Sequence, residues 1–105
     1  KVALTQIEAP KTEWKSPLEV FQDTCEHESK VTGLIHSLVD LSLAEKDHAA
    51  HTFLQWFVKE QVEEEAVAQE VRDKVKLADG NTVALFMIDQ ELGQRPAPAA
   101  PTPGA

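Results

Sequence analysis

The sequence predicts an all-α fold built on a long antiparallel helix pair. Three observations lead there. Apolar residues recur at three- and four-residue spacing through two stretches several turns long, the period of a helix buried on one face. Each stretch begins at a capping residue. Two short polar breaks, "EKDH" and "ADGN", then divide the helical part into a hairpin and a shorter third helix.

Residues 1–15, "KVALTQIEAPKTEWK", hold no sustained period and include Pro10, so they read as an extended surface connection. "SPLE" opens the first helix, with Ser16 as N-cap, Pro17 at the first helical position and Glu19 at the third. That is the capping-box arrangement, in which two side chains satisfy orphan amide donors reciprocally. Leu18, Phe21, Cys25, Val31, Ile35, Leu38 and Val39 then mark its inner stripe, widened by Leu34 and Leu41, to about Glu45. Asp47 is a suitable N-cap for a second helix from about His48 to Leu77. Its buried side carries Phe53, Leu54, Phe57, Val58, Val71 and Val75. Gly80 suits the left-handed position that stops a helix, and Asn81 can cap the next. "TVALFMIDQEL" is a third, short amphipathic helix ending at Gly93.

The remaining "QRPAPAAPTPGA" is rich in proline, which removes donors and fixes φ, so it reads as a disordered tail. The expected organisation is a loop at 1–15, a helical hairpin at 16–79, a short helix at 80–93 and the tail at 94–105. Without the tail roughly 90 residues can fold, which is thin for an independent globule.

The formal net charge is −8 and no basic cluster is present, which argues against nucleic acid and for cations as ligands. One cysteine, Cys25, excludes an internal disulfide framework and fits a reducing compartment, here the cytoplasm. No signal peptide and no apolar run of membrane-spanning length is visible, so no membrane partner is expected. The chain opens at Lys1 without methionine inside a loop-like segment, which suggests processing or a piece of a longer protein.

The inner stripes carry polar residues where leucine is expected. On the first helix the stripe reads Phe21, Cys25, Glu28, Thr32, Ile35, Val39; on the second, Ala50, Phe53, Phe57, Gln61, Glu64, Ala68. From a turn near Asp47, Glu28 lies about nineteen residues back, and Gln61 and Glu64 about fourteen and seventeen forward. An antiparallel hairpin brings all three to similar depth. Carboxylates stripped of hydration and facing one another take up a proton or a cation. Oxygen donors suit hard ions, and carboxylates on facing bundle helices suit a di-metal centre; iron, manganese and calcium stay open on this geometry. The alternative is a solvated acidic face along "VEEEAV".

"LQWFVKEQVEEE", with "CEHE", "EKDHAAHTFLQWF" and "MIDQEL", resembles the C-terminal half of bacterial non-haem ferritins, from about Val2 to Leu92. The resemblance implies a ferritin-like four-helix bundle, of which this chain supplies the third, fourth and short fifth helices. It implies a hollow shell of twenty-four subunits that oxidises Fe(II) with O₂ or peroxide and stores ferric mineral. By resemblance Glu28 binds the second iron, Gln61 stands beside the oxidant and that iron, and Glu64 is the nearby carboxylate. Glu60 and Glu63 match acids that hold a third iron with Glu64 in some bacterial members.

The family's first iron rests on a first-helix glutamate and a Glu-x-x-His pair on the second, helices this chain lacks. Its own E-x-x-H, Glu45 to His48, straddles the predicted turn. The chain is therefore expected to offer half a ferroxidase centre. It is read first as a fragment completed by another chain carrying the first two helices, then as a truncated homologue whose hairpins pair, then as an inactive remnant. A non-catalytic helical assembly module and a non-storage carboxylate di-iron oxidase are the rival functions. Haem attachment in the related bacterioferritins uses a second-helix methionine, which this chain lacks.

Other residues read more plainly. His27 and His36 are expected at the surface, Cys25 as a core thiol near the site, and Trp14 and Trp56 as packing or interface anchors. Resemblance puts His48 and His51 near the threefold channels, with His51 and Leu54 where animal ferritins carry channel carboxylates. It puts the third helix, with its apolar face, at the fourfold axis.

Overall fold

Ser16 starts the first helix. Its backbone is extended (φ −161°, ψ 161°), and its hydroxyl accepts from the Glu19 N–H at 3.2 Å, with Pro17 beginning the helix. The returning arm of the box differs from the expected one: the Glu19 carboxylate takes the N–H of Lys15, one residue before the cap. With Ser16 extended, Lys15 is the residue whose amide faces back across the first turn. The structure, a computed structural model, describes residues 1–101; the last part of the proline-rich tail, 102–105, lies outside the described residues.

Helix α1 spans Pro17–Ala44, α2 His48–Ala78 and α3 Thr82–Gly93. A three-residue connection joins α1 to α2. Its hydrogen bonds, Lys46 N–H to the Leu43 carbonyl (3.1 Å) and Asp47 N–H to the Ser42 carbonyl (2.8 Å), form a Schellman motif. The left-handed position in it, φ 55°, is held by Lys46 rather than glycine. Asp47 closes that motif and also caps α2, accepting from the Ala50 N–H at 3.0 Å. One residue thus ends one helix and begins the next, which is why the hairpin is tight.

At the far end Asp79 (φ 47°) and Gly80 (φ 77°) are both left-handed. Asn81 then caps α3 through the Ala84 N–H at 2.9 Å. This double turn folds α3 back along α2. Lys74 holds it there, its ammonium 2.8 Å from Glu91 of α3 and 3.2 Å from Glu70. The Glu91 hydrogen bond, with that of Glu70, raises the Lys74 pKa above its ordinary value.

α1 packs along α2, and α3 touches α2 alone. The molecule extends 52 × 33 × 17 Å, a slab without a second layer. The buried apolar core is accordingly small: Ala68, Val71 and Val75, all on α2. Burying a valine side chain fully contributes about 1.5–3 kcal/mol, so these few residues give a weak core.

Several residues expected inside are not. Phe53 is 60% exposed, and Leu34, Leu38 and Leu41 are each more than half exposed. The stripe is wide enough to face two long helices, and each long helix of the slab has only the other beside it. Phe53 instead packs on Phe57 of its own helix, ring centroids 5.2 Å apart, and Phe57 meets Trp56 edge-on at 4.9 Å. No strand occurs among the described residues. Among the described residues no helix is long and apolar enough to cross a membrane.

Candidate metal centre

Gln61, in the middle of α2, is buried at 8% exposure. Its amide nitrogen reaches across to α1 and donates to three oxygens: the Glu28 carboxylate (3.1 Å), the Glu28 carbonyl (3.2 Å) and the Thr32 hydroxyl (3.0 Å). The Thr32 hydroxyl in turn donates to the Glu28 carbonyl at 3.0 Å. With two hydrogens for three acceptors, the amide shares one of them, and the set locks α2 to α1 at this level. Because the nitrogen faces α1, Oε1 is the atom of the Gln61 amide that could ligate a cation.

The helix pair sets the Glu28 carboxylate opposite the Gln61 amide, one of the two residues expected to face it, and leaves Glu64 one turn away. This removes like-charge repulsion from the centre of the hairpin. Glu64 stands three residues farther along α2, about 4.5 Å in rise, and antiparallel register puts it level with Cys25. Its half-buried carboxylate accepts from the Arg95 guanidinium at 3.0 Å. Arg95 follows α3, whose return along α2 delivers it there. Glu60 is half-buried and Glu63 exposed, and with Glu64 they form an acidic ridge at helical spacing.

Among the described residues no group of three His, Cys, Asp or Glu is close enough to hold a metal ion. What the chain offers is an all-oxygen partial set: the Glu28 carboxylate, the Gln61 amide oxygen and, one turn away, the Glu64 carboxylate. Such donors suit a hard cation such as iron better than a soft one. Two further participants, Thr32 and Arg95, were not identified as such from the sequence. Thr32 sat on the inner stripe and could have been read as a hydroxyl donor. Arg95 stood in the tail with nothing nearby to signal its pairing.

The remaining candidates lie apart. His27, His36 and His48 are exposed. His51 is half-buried, its ring nitrogen 3.3 Å from the Gln55 amide. Cys25 is a half-buried free thiol, and Trp56 is half-buried against Phe57. Trp14 donates to Asp23 at 2.9 Å at the start of α1. Glu45 caps α1 while His48 opens α2, so the E-x-x-H spacing spans two helices.

Residues 1–78 match the family described as Ferritin-like domain. The bacterial non-heme ferritin of Bacteroides fragilis is 50% identical over 90 residues, covering 86% of this chain and 55% of that protein. A probable bacterial non-heme ferritin-like protein of Haemophilus influenzae is 43% identical over 90 residues, 86% of this chain and 54% of its own. Among solved structures, an open pore ferritin from the hyperthermophilic archaeon Archaeoglobus fulgidus superposes with a TM-score of 0.82 at 46% identity. That match covers 91% of this chain and 59% of the other. The chain spans a little over half the length of the relatives it matches. The family match over residues 1–78, the relatives' identity over most of the chain and the shared shape of the helical hairpin place this chain in the ferritin-like family, whose fold is a four-helix bundle.

Proposed function

We propose that this chain supplies half of a carboxylate di-iron ferroxidase centre in an iron-storage shell of the bacterial non-haem ferritin type. The observation that carries the reading is the 3.1 Å hydrogen bond between Gln61 and Glu28, a polar link inside the hairpin of a ferritin-like chain. Iron is the substrate. Each Fe(II) loses one electron to O₂ or peroxide, and the Fe(III) produced carries more charge, which carboxylates favour.

Glu28 and Gln61 hold the second iron between α1 and α2, and Glu64 joins them from one turn along. Glu60 and Glu63, beside Glu64, are the third-iron candidates. The first-iron ligands, a glutamate and a Glu-x-x-His pair, come from two further bundle helices on another chain or fragment. The exposed apolar side of the hairpin, with Leu34, Leu38 and Phe53, is the surface those helices cover. The hairpin is the C-terminal half of the bundle, the assembly is a cytoplasmic homo-oligomer of twenty-four subunits, and α3 sits at its fourfold axis.

A second reading has one observation in its favour. Glu64 is already paired with Arg95, as in a structural module whose acids only stabilise the fold. Aerobic addition of Fe(II) to the purified assembly separates the two. Fast growth of ferric absorbance that is lost in Glu28→Ala/Glu64→Ala supports the centre. Oxidation unchanged in that variant sinks it, and electron micrographs without hollow shells count against storage.

A further inference from the structure

We propose that Arg95 is a tethered cation that competes with divalent metal for the Glu64 carboxylate, so that the seating of α3 controls access to that ligand. The inference rests on the reading of Glu64 as a metal ligand.

Three features of the structure support it. The contact is made by one guanidinium nitrogen on one carboxylate oxygen, Oε1, at 3.0 Å. A two-pronged fork, which gives the tighter and more directional pairing, is not formed, so the arginine is displaceable. Second, the partners are 28% and 42% exposed in their side chains, open enough for a hydrated ion to reach Glu64 and for Arg95 to swing into water. Third, Arg95 sits immediately behind α3, where its own N–H bonds the Leu92 carbonyl at 3.2 Å. Its reach to Glu64, across 31 positions of sequence, depends on α3 lying back along α2. Lys74 and Glu91 fasten the last turn of α3 at 2.8 Å, and Arg95 is a second clasp just beyond it.

Two cations cannot share that oxygen at full strength. A metal on either oxygen of Glu64 repels the guanidinium and weakens its hold, and a seated Arg95 weakens metal binding by the same factor. The chain carries its own counter-ion for this ligand, which keeps the carboxylate neutralised until metal arrives or α3 moves.

The test uses Zn(II) alone as a redox-silent probe, titrated calorimetrically into the intact chain and its variants. Arg95→Gln is expected to tighten Zn(II) binding about 2- to 5-fold, the scale of an exposed ion pair. Arg72→Gln, which removes the same charge from the Asp73 pair, is expected to leave affinity unchanged. In a Glu64→Gln background Arg95→Gln should have no effect. A second readout is structural: saturating Zn(II) should speed hydrogen exchange at the Arg95 amide in the wild-type chain and not in Glu64→Gln. If Glu64→Gln weakens Zn(II) binding while Arg95→Gln does nothing, the competition is refuted and the ligand role of Glu64 stands. If Glu64→Gln leaves Zn(II) affinity unchanged, both fall. An equal gain from Arg95→Gln and Arg72→Gln reduces the effect to net charge and overturns the proposal.

Discussion

The amide nitrogen of Gln61 lies 3.1 Å from the Glu28 carboxylate, so the polar centre of the hairpin joins a donor to an acceptor across two helices. Replacing the donor by a second carboxylate tests what that arrangement is for. In Gln61→Glu the Glu28 carboxylate and the Thr32 hydroxyl lose the amide donor, and the carboxylate faces a like charge. Loss of a buried hydrogen-bond partner costs about 1–3 kcal/mol. The urea midpoint should fall accordingly at neutral pH. A divalent cation bridges two facing carboxylates, so millimolar Mn(II) should restore more of the melting temperature in Gln61→Glu than it adds to the wild type. Equal shifts in the two proteins would count against Glu28 and residue 61 sharing a cation.

The hairpin turn stores a correctable cost. Lys46 holds the left-handed C′ position of the Schellman motif at φ 55°. An L-residue with a Cβ pays about 1–2 kcal/mol for that conformation. Glycine avoids it but widens the unfolded ensemble, which offsets about 0.4–1 kcal/mol of the gain. Lys46→Gly should therefore stabilise the chain by about 0.5–1 kcal/mol, read as a higher urea midpoint with an unchanged slope. A lower midpoint would mean that the lysine side chain contributes more than its backbone costs.

These two sites mark the limits of what the sequence reveals. The helices were legible because Ser16, Asp47 and Asn81 are capping residues at the heads of periodic segments, and their side chains do cap. The meeting of Glu28 with Gln61 was legible because rise and period together set depth. Lys46 was not, since nothing in a lysine announces a left-handed residue. Phe53 and Leu38 were misplaced because periodicity identifies an apolar side without saying whether anything covers it. The Arg95–Glu64 pair joins the end of one helix to the middle of another, and single charges so far apart leave no pattern.

The loop before α1 is clasped by charge, which gives a pH signature. Asp23 accepts from Lys11 at 2.7 Å and from the Trp14 indole at 2.9 Å, while the Lys11 ammonium lies 5.7 Å from the Trp14 ring centroid. The Lys11 hydrogen bond, helped by Trp14, holds the Asp23 pKa below its ordinary 3.8. The Asp23 hydrogen bond raises that of Lys11 above 10.5. Because the Asp23 value is depressed on folding, the clasp is fully present above 3.8 and is lost as pH falls through the lowered value. Because the Lys11 value is raised, its share is complete below 10.5 and is lost as pH rises through the higher one. In a Trp56→Phe background, Trp14 emission should be steady between these limits and shift to the red at both ends. Asp23→Asn should remove the acid transition and keep the helical circular dichroism. A Trp14 spectrum insensitive to Asp23→Asn would show that the loop is held by something else.

The exposed apolar side of the hairpin carries the last prediction. Phe53 is 60% exposed and Leu38 52%, and both line one groove at the turn end with Leu41 and Leu54. Leucine and phenylalanine so placed gain by burial whenever a helix lies over them, about 25 cal/mol for each Å² of apolar surface removed from water. If two further bundle helices cover this side, Leu38→Ser/Phe53→Ser should lower the mass of the assembly in sedimentation velocity. It should leave the isolated hairpin's helical signal nearly intact, since neither side chain belongs to the buried core of Ala68, Val71 and Val75. On the proposed reading Fe(II) oxidation should fall in parallel with the mass, because first-iron ligands on a partner would reach Glu28 through that contact. An unchanged mass with unchanged oxidation would place the completing helices on another face. Val71→Ala makes the contrast: it thins the α2 core itself and should lower the urea midpoint of the chain whether or not a partner is bound.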